Sequence, residues 1–280
     1  MRALMRLTAK LPGAEVGLEH DATWGTLGIP SPAFNLAIGR FSVAAADTRI
    51  AEISARFRRR AMPLSWWILP DSTPDDLEAR LARAGFGHAQ RLPAMALDLA
   101  TLVNEGVPVG VAMDEVRDAE AYGPAVDVLI DAFQMRADLR EPVIGAFGNL
   151  SAGSLAEPGV ARSAAEPGVA RSAAEPRAAG WADSTVAART VVARLDGEVV
   201  GTALVVIDGP VAGIYNVGVR ESARGRGIGR AVTAEVARIA RATGCRLAIL
   251  EASAIGAPVY RRLGFREVGT VAVLGRLTWS

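Results

Sequence analysis

The sequence predicts an α/β (α+β) protein built as two consecutive blocks, each with strands and helices in alternation. Three observations lead to this prediction. An apolar, β-rich stretch at 213–219 runs through a glycine-rich turn into a helical pattern. Asp196-Gly197 lies between two further strand patterns and is the strongest short hairpin signal in the chain. The first hundred residues show a similar alternation, and 280 residues suffice for two ordinary domains.

The first block spans residues 1–104 and is predicted to contain two helices. Asp47 is expected to cap the first helix, which continues to about residue 60. The segment 71–74 is expected to open the second, which Gly85 ends. Strand patterns lie at 35–43, 64–69, 87–90 and 94–99. Within them, the pair Trp66-Trp67 is expected to belong to the core rather than to a ligand platform.

The second block spans residues 105–280, and its patterns begin near Val109 after a linker at 101–108. Helical patterns at 119–136 and 139–150 precede the hairpin, a third strand and the glycine-rich turn. The helix after this turn is predicted to end near Gly244. A strand at 246–250, a short helix at 257–263 and two closing strands at 265–268 and 271–277 follow.

A tandem repeat lies between the second helical pattern and the hairpin. The nine residues GVARSAAEP occur at 159–167 and again at 168–176. Small residues and evenly spaced prolines leave little to bury, so residues 151–180 are predicted to form a disordered loop. A tolerated duplication in a surface loop is the simpler explanation, and a lid over the substrate side is the functional alternative.

Composition limits the classes of function. A net charge of +1 gives no basis for binding nucleic acid or an acidic membrane. The single cysteine, Cys245, cannot form an internal disulfide, and we find neither a secretion signal nor an apolar run that could cross a bilayer. His20 and His88 are expected at the surface, and no cluster has metal-ligand spacing. The sequence therefore predicts a cytoplasmic protein without a metal.

The glycine-rich turn is the strongest candidate for a binding site. It comprises Arg224, Gly225, Arg226, Gly227, Ile228, Gly229 and Arg230. Unpaired N–H groups at a helix N-terminus, the helix dipole and the arginine charges all favour a phosphate or pyrophosphate. The glycine spacing fits neither the nucleoside triphosphate loop nor the dinucleotide motif. An ordinary turn with a helix cap is the alternative.

Two motifs in the second block resemble those of the GCN5-related N-acetyltransferase (GNAT) superfamily. The pattern Arg224-x-x-Gly227-x-Gly229 resembles its acetyl-CoA pyrophosphate loop. The segment 250–265, with Tyr260 four residues before Gly264-Phe265, resembles its second motif. The order of predicted elements also matches. The resemblance implies tandem GNAT-like domains, each with a mixed, mostly antiparallel sheet flanked by helices.

The resemblance also implies roles in binding. Backbone groups of Val217, Gly218 and Val219 are expected to bind the pantetheine arm of acetyl-CoA, and the amides of 226–230 its pyrophosphate. Ser253 matches a cofactor-contacting position that is often asparagine; serine weakens the match but keeps a hydrogen-bonding group. Asn216 is a candidate substrate contact.

Two residues are candidates for proton transfer. Tyr260 matches the superfamily's usual general acid for the departing thiolate. Its alternative is a tyrosine packed on the strand face with its hydroxyl at the surface. Glu251, at a strand end, is the candidate general base, acting directly or through water. A lone carboxylate in that position is solvated or ion-paired at least as often.

The first block can be aligned with the second on Gly85-Phe86 and Gly264-Phe265. Tyr260 then falls on Leu81, and the glycine-rich turn falls on residues 45–50, which contain no glycine. Asp47 puts a carboxylate where the anion would bind. The first block is therefore expected to be a degenerate GNAT-like half that holds no CoA, supports the second block and walls its substrate cleft.

These observations predict an acetyl-CoA-dependent N-acetyltransferase. It would act on a primary amine of a small molecule or peptide, by direct transfer in a ternary complex. A non-catalytic CoA-binding regulatory or interaction module is the alternative. No motif identifies the acceptor. Because tandem halves can replace a dimer, a monomer is expected.

Overall fold

One continuous sheet forms the centre of the protein. The structure is a computed structural model that describes residues 1–103, 106–118, 121–153 and 186–279. In these ranges eleven strands form a single sheet with helices packed against it. Most neighbouring strands are antiparallel and two pairs are parallel. The predicted α/β class with a mixed, mostly antiparallel sheet is therefore confirmed.

The first block has helical and extended segments in alternation. They are α1 Arg2–Thr8, β1 Glu15–Leu18, β2 Ala22–Thr26, β3 Asn35–Gly39, α2 Ala46–Arg58, β4 Leu64–Ile68, α3 Leu77–Arg83 and β5 Gly87–Asp98. Ile50, Ile53 and Phe57 recur at helical spacing on α2 and are all buried in the core of this block. Trp66 of β4 is fully buried in the same core, as predicted.

The second block continues the sheet. Its elements are β6 Val111–Val116, α4 Tyr122–Ala132, α5 Arg140–Gly153, β7 Ala187–Leu195, β8 Glu198–Asp208, β9 Val211–Val219, α6 Ile228–Ala242, β10 Leu247–Glu251, α7 Ala257–Arg262 and β11 Arg266–Arg276. The predicted hairpin joins β7 to β8, and Asp196 and Gly197 have the positive φ angles, 52° and 86°, that its two-residue turn requires. Helices α6 and α7 cover one face of this part of the sheet, and α4 and α5 cover the other.

The two blocks exchange their last strands. The strand order is β1-β2-β3-β4-β11-β5-β10-β9-β8-β7-β6. Strand β11, from the end of the chain, lies between β4 and β5 and pairs antiparallel with both. Strand β5 lies between β11 and β10 and also pairs antiparallel with both. Each block therefore completes its part of the sheet with a strand from the other.

The exchange also completes two hydrophobic cores, one under α6 and α7 and one under α2 and α3. Met95 and Leu97 of β5 are each 1% exposed and pack in the core under α6 and α7. Ala272 and Leu274 of β11 are buried with Trp66 in the core under α2 and α3. Fully burying a large apolar side chain contributes about 1.5–3 kcal/mol. Each core thus depends on side chains that the other block supplies.

The closing elements of both blocks differ from the predictions. The segments 265–268 and 271–277 form the single strand β11, with a bulge after Glu267, and not a hairpin. The segments 87–90 and 94–99 likewise form the single strand β5. Two shorter strands were predicted in place of each long one, because sequence patterns give no sign that a single strand pairs with the other block.

Several boundaries were also wrong. Asp47 lies in the first turn of α2, whose N-cap is Ala45, and α3 begins only at Leu77, after the segment 71–74. Helix α5 reaches Gly153, three residues into the predicted loop. The rest of that loop, including the repeat, lies outside the described residues. So do residues 104 and 105, and the division of the chain at that point stays a prediction. None of the helices in the described ranges is long and apolar enough to span a bilayer.

We expect a core substitution in the first block to destabilise the whole protein in one transition. Leu81 of α3 is fully buried, and Leu81→Ala should lower the free energy of unfolding by about 2–5 kcal/mol, because it leaves a cavity. The strand exchange should make both blocks unfold together. Differential scanning calorimetry should show one endotherm, shifted to lower temperature.

The matched control is Leu277→Ala. Its side chain is 69% exposed, so the substitution should change stability by less than about 0.5 kcal/mol. Two endotherms, only one of them shifted by Leu81→Ala, would contradict the coupling of the two blocks.

Candidate active site

Strands β9 and β10 separate in the middle of the second block. They pair in parallel at three positions, from Leu247↔Val211 to Ile249↔Gly213. Beyond this point β9 stays paired with β8 on its other edge but has no described pairing with β10. The gap leaves N–H and C=O groups on one edge of β9 without a strand partner. An extended ligand can satisfy such groups by adding to the strand.

A bulge in β9 lies beside this gap. The register with β8 shifts between Leu204↔Tyr215 and Thr202↔Gly218, so β9 carries one extra residue. Asn216 lies in the bulge with φ 53°, a left-handed conformation that asparagine adopts more readily than most residues. Asn216 lines a cavity beside α4, whereas Val217 packs against the core under α6. These two neighbouring residues of β9 therefore lie on opposite faces of the sheet.

The glycine-rich turn follows β9 and leads into α6. Gly225 and Gly227 have φ angles of 78° and 80°, which favour glycine, and Gly227 is the N-cap of α6. The backbone N–H groups of 225–229 donate to no described residue. Arg226 in the middle of the turn is exposed. The turn can therefore offer several N–H donors and a positive helix end to one anion.

Arg224 fixes the turn in position. Its guanidinium donates to the carbonyl of Val219 at 3.4 Å and to that of Ala132, at the end of α4, at 3.3 Å. Asp131 strengthens this link, because its carboxylate accepts the N–H of Glu221 at 2.9 Å. Sequence reasoning missed Asp131. It lies 90 residues before Glu221, and no local pattern connects the two.

Tyr260 lies on α7 close to the end of β10. Its ring meets that of Phe265 edge-on, with centroids 5.9 Å apart, and packs closely on Gly256. Its side chain is only 8% exposed, and burial raises the pKa of its hydroxyl to about 12. The hydroxyl therefore keeps its proton at neutral pH. A phenol in this state can act as a general acid.

Glu251 ends β10 on the face of the sheet opposite α6. Leu250 packs in the core under α6, and the alternation of a strand puts Glu251 on the other face. Burial raises the pKa of the Glu251 carboxyl above its ordinary value of 4.5. Burial, and then the charge of Glu251, raise the pKa of Tyr215, which adjoins the bulge. Glu251 is half-buried, the N-terminal ammonium group of Met1 opposes the effect of burial, and the net raised pKa suits a general base.

Ser253 shapes the turn between β10 and α7. Its Oγ accepts the N–H of Gly256 at 3.1 Å, and its carbonyl accepts the N–H of Ala257 at 2.9 Å. These bonds set the direction in which α7 leaves the strand, and so the position of Tyr260. The contact of Ser253 with a cofactor stays a prediction.

The corresponding turn of the first block is closed by its own hydrogen bonds. The N–H groups of Ala45 and Ala46 both donate to the carbonyl of Ser42 at 3.1 Å. The Asp47 carboxylate accepts a hydrogen bond from Arg80 at 2.6 Å. Leu81, which aligns with Tyr260, is fully buried. This turn therefore differs from its counterpart in having two bonded N–H groups and a carboxylate at the helix start, and it lacks the phenol.

The first block has a comparable place at the end of β3, but there the backbone is bridged. Arg40, just after β3, forms a parallel bridge with Thr73, and the N–H of Phe41 donates to the Thr73 carbonyl at 3.0 Å. In the second block the equivalent edge of β9 has no such partner among the described residues. The two blocks thus differ in the backbone as well as in side chains.

The histidines and the cysteine show no sign of a catalytic or metal-binding role in the described part of the chain. The side chain of His20 is 94% exposed, and its Nδ1 lies 3.8 Å from a carboxylate oxygen of Asp21. The side chain of His88 lies outside what the structure describes. Cys245 is buried, with its Sγ 3.5 Å from the carbonyl oxygen of Gly209. In the described part of the chain, no three His, Cys, Asp or Glu side chains are grouped so that they could hold a metal ion.

Comparison with known families supports the resemblance. A model of the acetyltransferase (GNAT) family matches residues 161–265. This range includes β9, the glycine-rich turn, β10 and Tyr260. No curated protein matches the sequence.

Solved structures share the fold over nearly the whole chain. A GCN5-related N-acetyltransferase from Kribbella flavida has a TM-score of 0.66 and 23% identity, over 98% of this chain and 93% of that one. One from Sphaerobacter thermophilus has a TM-score of 0.58 and 17% identity, over 94% and 83%. A tandem GNAT protein from the clavulanic acid biosynthesis pathway has a TM-score of 0.58 and 14% identity, over 100% and 89%. The GNAT fold predicted from the two motifs is confirmed.

We expect the stability of the protein to fall as pH rises through the pKa of Glu251. The pKa is raised in the folded state, so ionising the buried carboxylate destabilises the fold above that pKa and has no effect below the unfolded value. The Glu251→Gln variant cannot ionise there. Its melting temperature should exceed that of the wild type at about pH 8 and converge with it at about pH 4.

The control is Glu198→Gln, because Glu198 is exposed at the start of β8. It should change the melting temperature little at either pH. A Glu251→Gln variant whose melting temperature is lower than that of the wild type at high pH would show that ionised Glu251 stabilises the fold.

Proposed function

We propose that this protein of the GNAT superfamily transfers the acetyl group of acetyl-CoA to a primary amine in a ternary complex. The observation that carries the proposal is the separation of β9 from β10 beside the open glycine-rich turn. It leaves an extended backbone edge and an anion-binding turn next to each other. A pantetheine arm and a diphosphate need these two features in the same order.

Acetyl-CoA would bind along β9. The backbone groups of Val217, Gly218 and Val219 would pair with the pantetheine arm and orient the thioester. The amides of 226–230 would bind the diphosphate, and the exposed Arg226 would add charge. Ser253 would contact the arm near α7. The free N–H groups at 225–229 support this arrangement, since they have no described partner within the protein.

The chemistry follows from the two ionisable groups. The lone pair of the neutral amine attacks the thioester carbonyl carbon, the C–S bond breaks, and the amine loses a proton. Glu251 would take this proton, directly or through water. Tyr260 would give its hydroxyl proton to the departing thiolate. Burial supports both roles, because it raises the pKa of the carboxyl and keeps the phenol protonated.

The first block would support this site without binding CoA itself. Its closed turn at Ala45–Ala46 and the carboxylate of Asp47 argue against a second diphosphate site. We further propose that the protein acts as a cytoplasmic monomer with two GNAT-like halves, divided near residue 104. The strand exchange supports the monomer, because each half already receives its missing strand from within the same chain.

Gly227→Asp should abolish most of the affinity for CoA. The substitution puts a negative charge at the helix end where the diphosphate would bind, and we expect the dissociation constant to rise about tenfold to a hundredfold. Gly227→Asn is the matched control, because it has the same size and a similar tolerance for positive φ but carries no charge. Isothermal titration with CoA measures both. Equal affinities of the two variants would mean that no diphosphate binds at this turn.

Tyr260→Phe should separate the enzyme from a binding module. If Tyr260 is the general acid, kcat should fall roughly 10²- to 10⁴-fold while the affinity for CoA is unchanged. The fold should survive, since no described residue hydrogen-bonds the hydroxyl. Thiol release with a mixture of amines measures turnover. Wild-type protein that binds CoA but releases none with any amine would favour the non-catalytic module.

A further inference from the structure

A cavity of about 460 Å³ lies beside the β9 bulge, on the face of the sheet opposite α6. Asn216 of β9 is one of its lining residues. The other walls come from α4 and the turn after it, from α5, and from the segment 30–34 of the first block. Both blocks therefore contribute to it. Its volume falls in the range of sites that enclose a small organic molecule.

The lining of this cavity is apolar and partly aromatic. Besides Asn216, its members are Pro30, Ser31, Pro32, Ala33, Phe34, Val126, Leu129, Ile130, Phe133, Gln134, Met135, Arg136, Leu139, Val143 and Phe147. The rings of Phe34 and Phe147 lie 5.9 Å apart, and Phe147 stacks on Tyr122 at 6.4 Å. Phe133 is 53% exposed although it is a large apolar residue. Such an apolar, exposed surface is typical of a site that binds apolar groups.

The charge of the lining argues against polycationic ligands. Arg136 is the one charged residue among the described lining residues, and its guanidinium is bound to the Asp138 carboxylate at 2.5 and 3.0 Å. None of these lining residues is an Asp or Glu. A polycation that leaves water needs carboxylates or other acceptors to replace its hydration. Polyamines are therefore poor matches for this cavity, and so are aminosugars, whose hydroxyl groups would lose their hydrogen bonds to water against an apolar lining.

The cavity adjoins the proposed reaction centre. Asn216 lines it, and the next residue, Val217, belongs to the edge of β9 that faces the gap. A molecule whose apolar body fills the cavity would thus hold its polar end close to Val217. The amide of Asn216 can hydrogen-bond an amine at that end without adding a charge.

We infer that the acceptor is a primary amine on an uncharged apolar body, aromatic or branched aliphatic, and that Phe34 of the first block helps to select it. This inference rests on the proposed acetyl transfer and names its substrate class. The body would lie in the cavity against the contacting rings of Phe34 and Phe147, and the amino group would point to the thioester. The first block would then determine specificity although it binds no CoA.

The test compares primary amines with the full-length protein and acetyl-CoA. The apolar probes are 2-phenylethylamine and 3-methylbutylamine, and the polar probes are spermidine and glucosamine. Thiol release should give kcat/KM at least about tenfold higher for the apolar pair, because only these amines bury their bodies without removing charged or hydroxyl groups from water. A preference for spermidine or glucosamine would overturn the inference and leave the proposed acetyl transfer intact.

Phe34→Ala tests the wall supplied by the first block. It should lower kcat/KM for 2-phenylethylamine about tenfold, mainly through KM, and leave the affinity for CoA unchanged. Phe34→Leu keeps an apolar body at the position and should restore most of the loss. An unchanged KM in Phe34→Ala, or a loss of CoA affinity of the same size, would contradict the role of Phe34.

A binding measurement distinguishes the proposed acetyl transfer from the proposed apolar class of acceptor. Isothermal titration of 2-phenylethylamine into the protein saturated with CoA should show a single site that Phe34→Ala weakens. If this site is present but no amine is acetylated, the proposed function fails and the apolar ligand site stands. If no site is detected, and spermidine binds no worse, the apolar class is wrong whatever the enzymatic outcome.

Discussion

The pairing of β5 with β11 in the middle of the sheet is the interaction on which the rest of the structure depends. Each of these strands lies between two strands of the other block, so backbone hydrogen bonds join the halves along the whole length of both. Their side chains also complete the other block's core, as Met95 and Leu274 do. A sheet shared in this way holds the first block at a fixed position relative to the second. A cavity with walls from both blocks requires that fixed position.

The proposed cofactor site depends on an interruption of the same sheet. Regular pairing would leave no backbone group of β9 for a ligand, but β9 and β10 separate after three paired positions, and a bulge at Asn216 increases the change of direction. Arg224 and Asp131 fix the turn that follows to the end of α4. The first block has a comparable arrangement of strands, yet a bridge to Thr73 and the hydrogen bonds to Ser42 close it. The same fold thus has one open and one closed version within a single chain.

Burial accounts for the electrostatics of the site. Tyr260 is buried and Glu251 is half-buried, and in both cases burial raises the pKa. The effect favours a basic carboxylate and a protonated phenol, which are the two states that the proposed transfer needs. The neighbouring cavity is apolar, which helps to keep water from the reacting atoms. The destabilising effect of a buried carboxylate is consistent with a functional role for Glu251.

Local patterns in the sequence determined most of the elements. The helices α2, α6 and α7, the hairpin at Asp196-Gly197 and the turn at Gly225 and Gly227 were predictable because each depends on neighbouring residues: helical spacing, positive φ angles and helix ends. The short elements α1, β1, β2 and β6 were not predicted, since a few residues carry too weak a pattern. The identities of the candidate residues also came from the sequence, through two motifs.

Only the tertiary structure decided how these pieces combine. No local signal distinguishes a strand that pairs within its own block from one that pairs with the other, and each closing strand was therefore predicted as two shorter ones. Three features depend on residues far apart in the chain. They are the burial of Glu251, the hydrogen bond of Asp131 to Glu221, and the cavity lined by Phe34 and Phe147. Such contacts arise from long-range packing. A pattern along the sequence does not indicate which distant part of the chain will pack against a given residue.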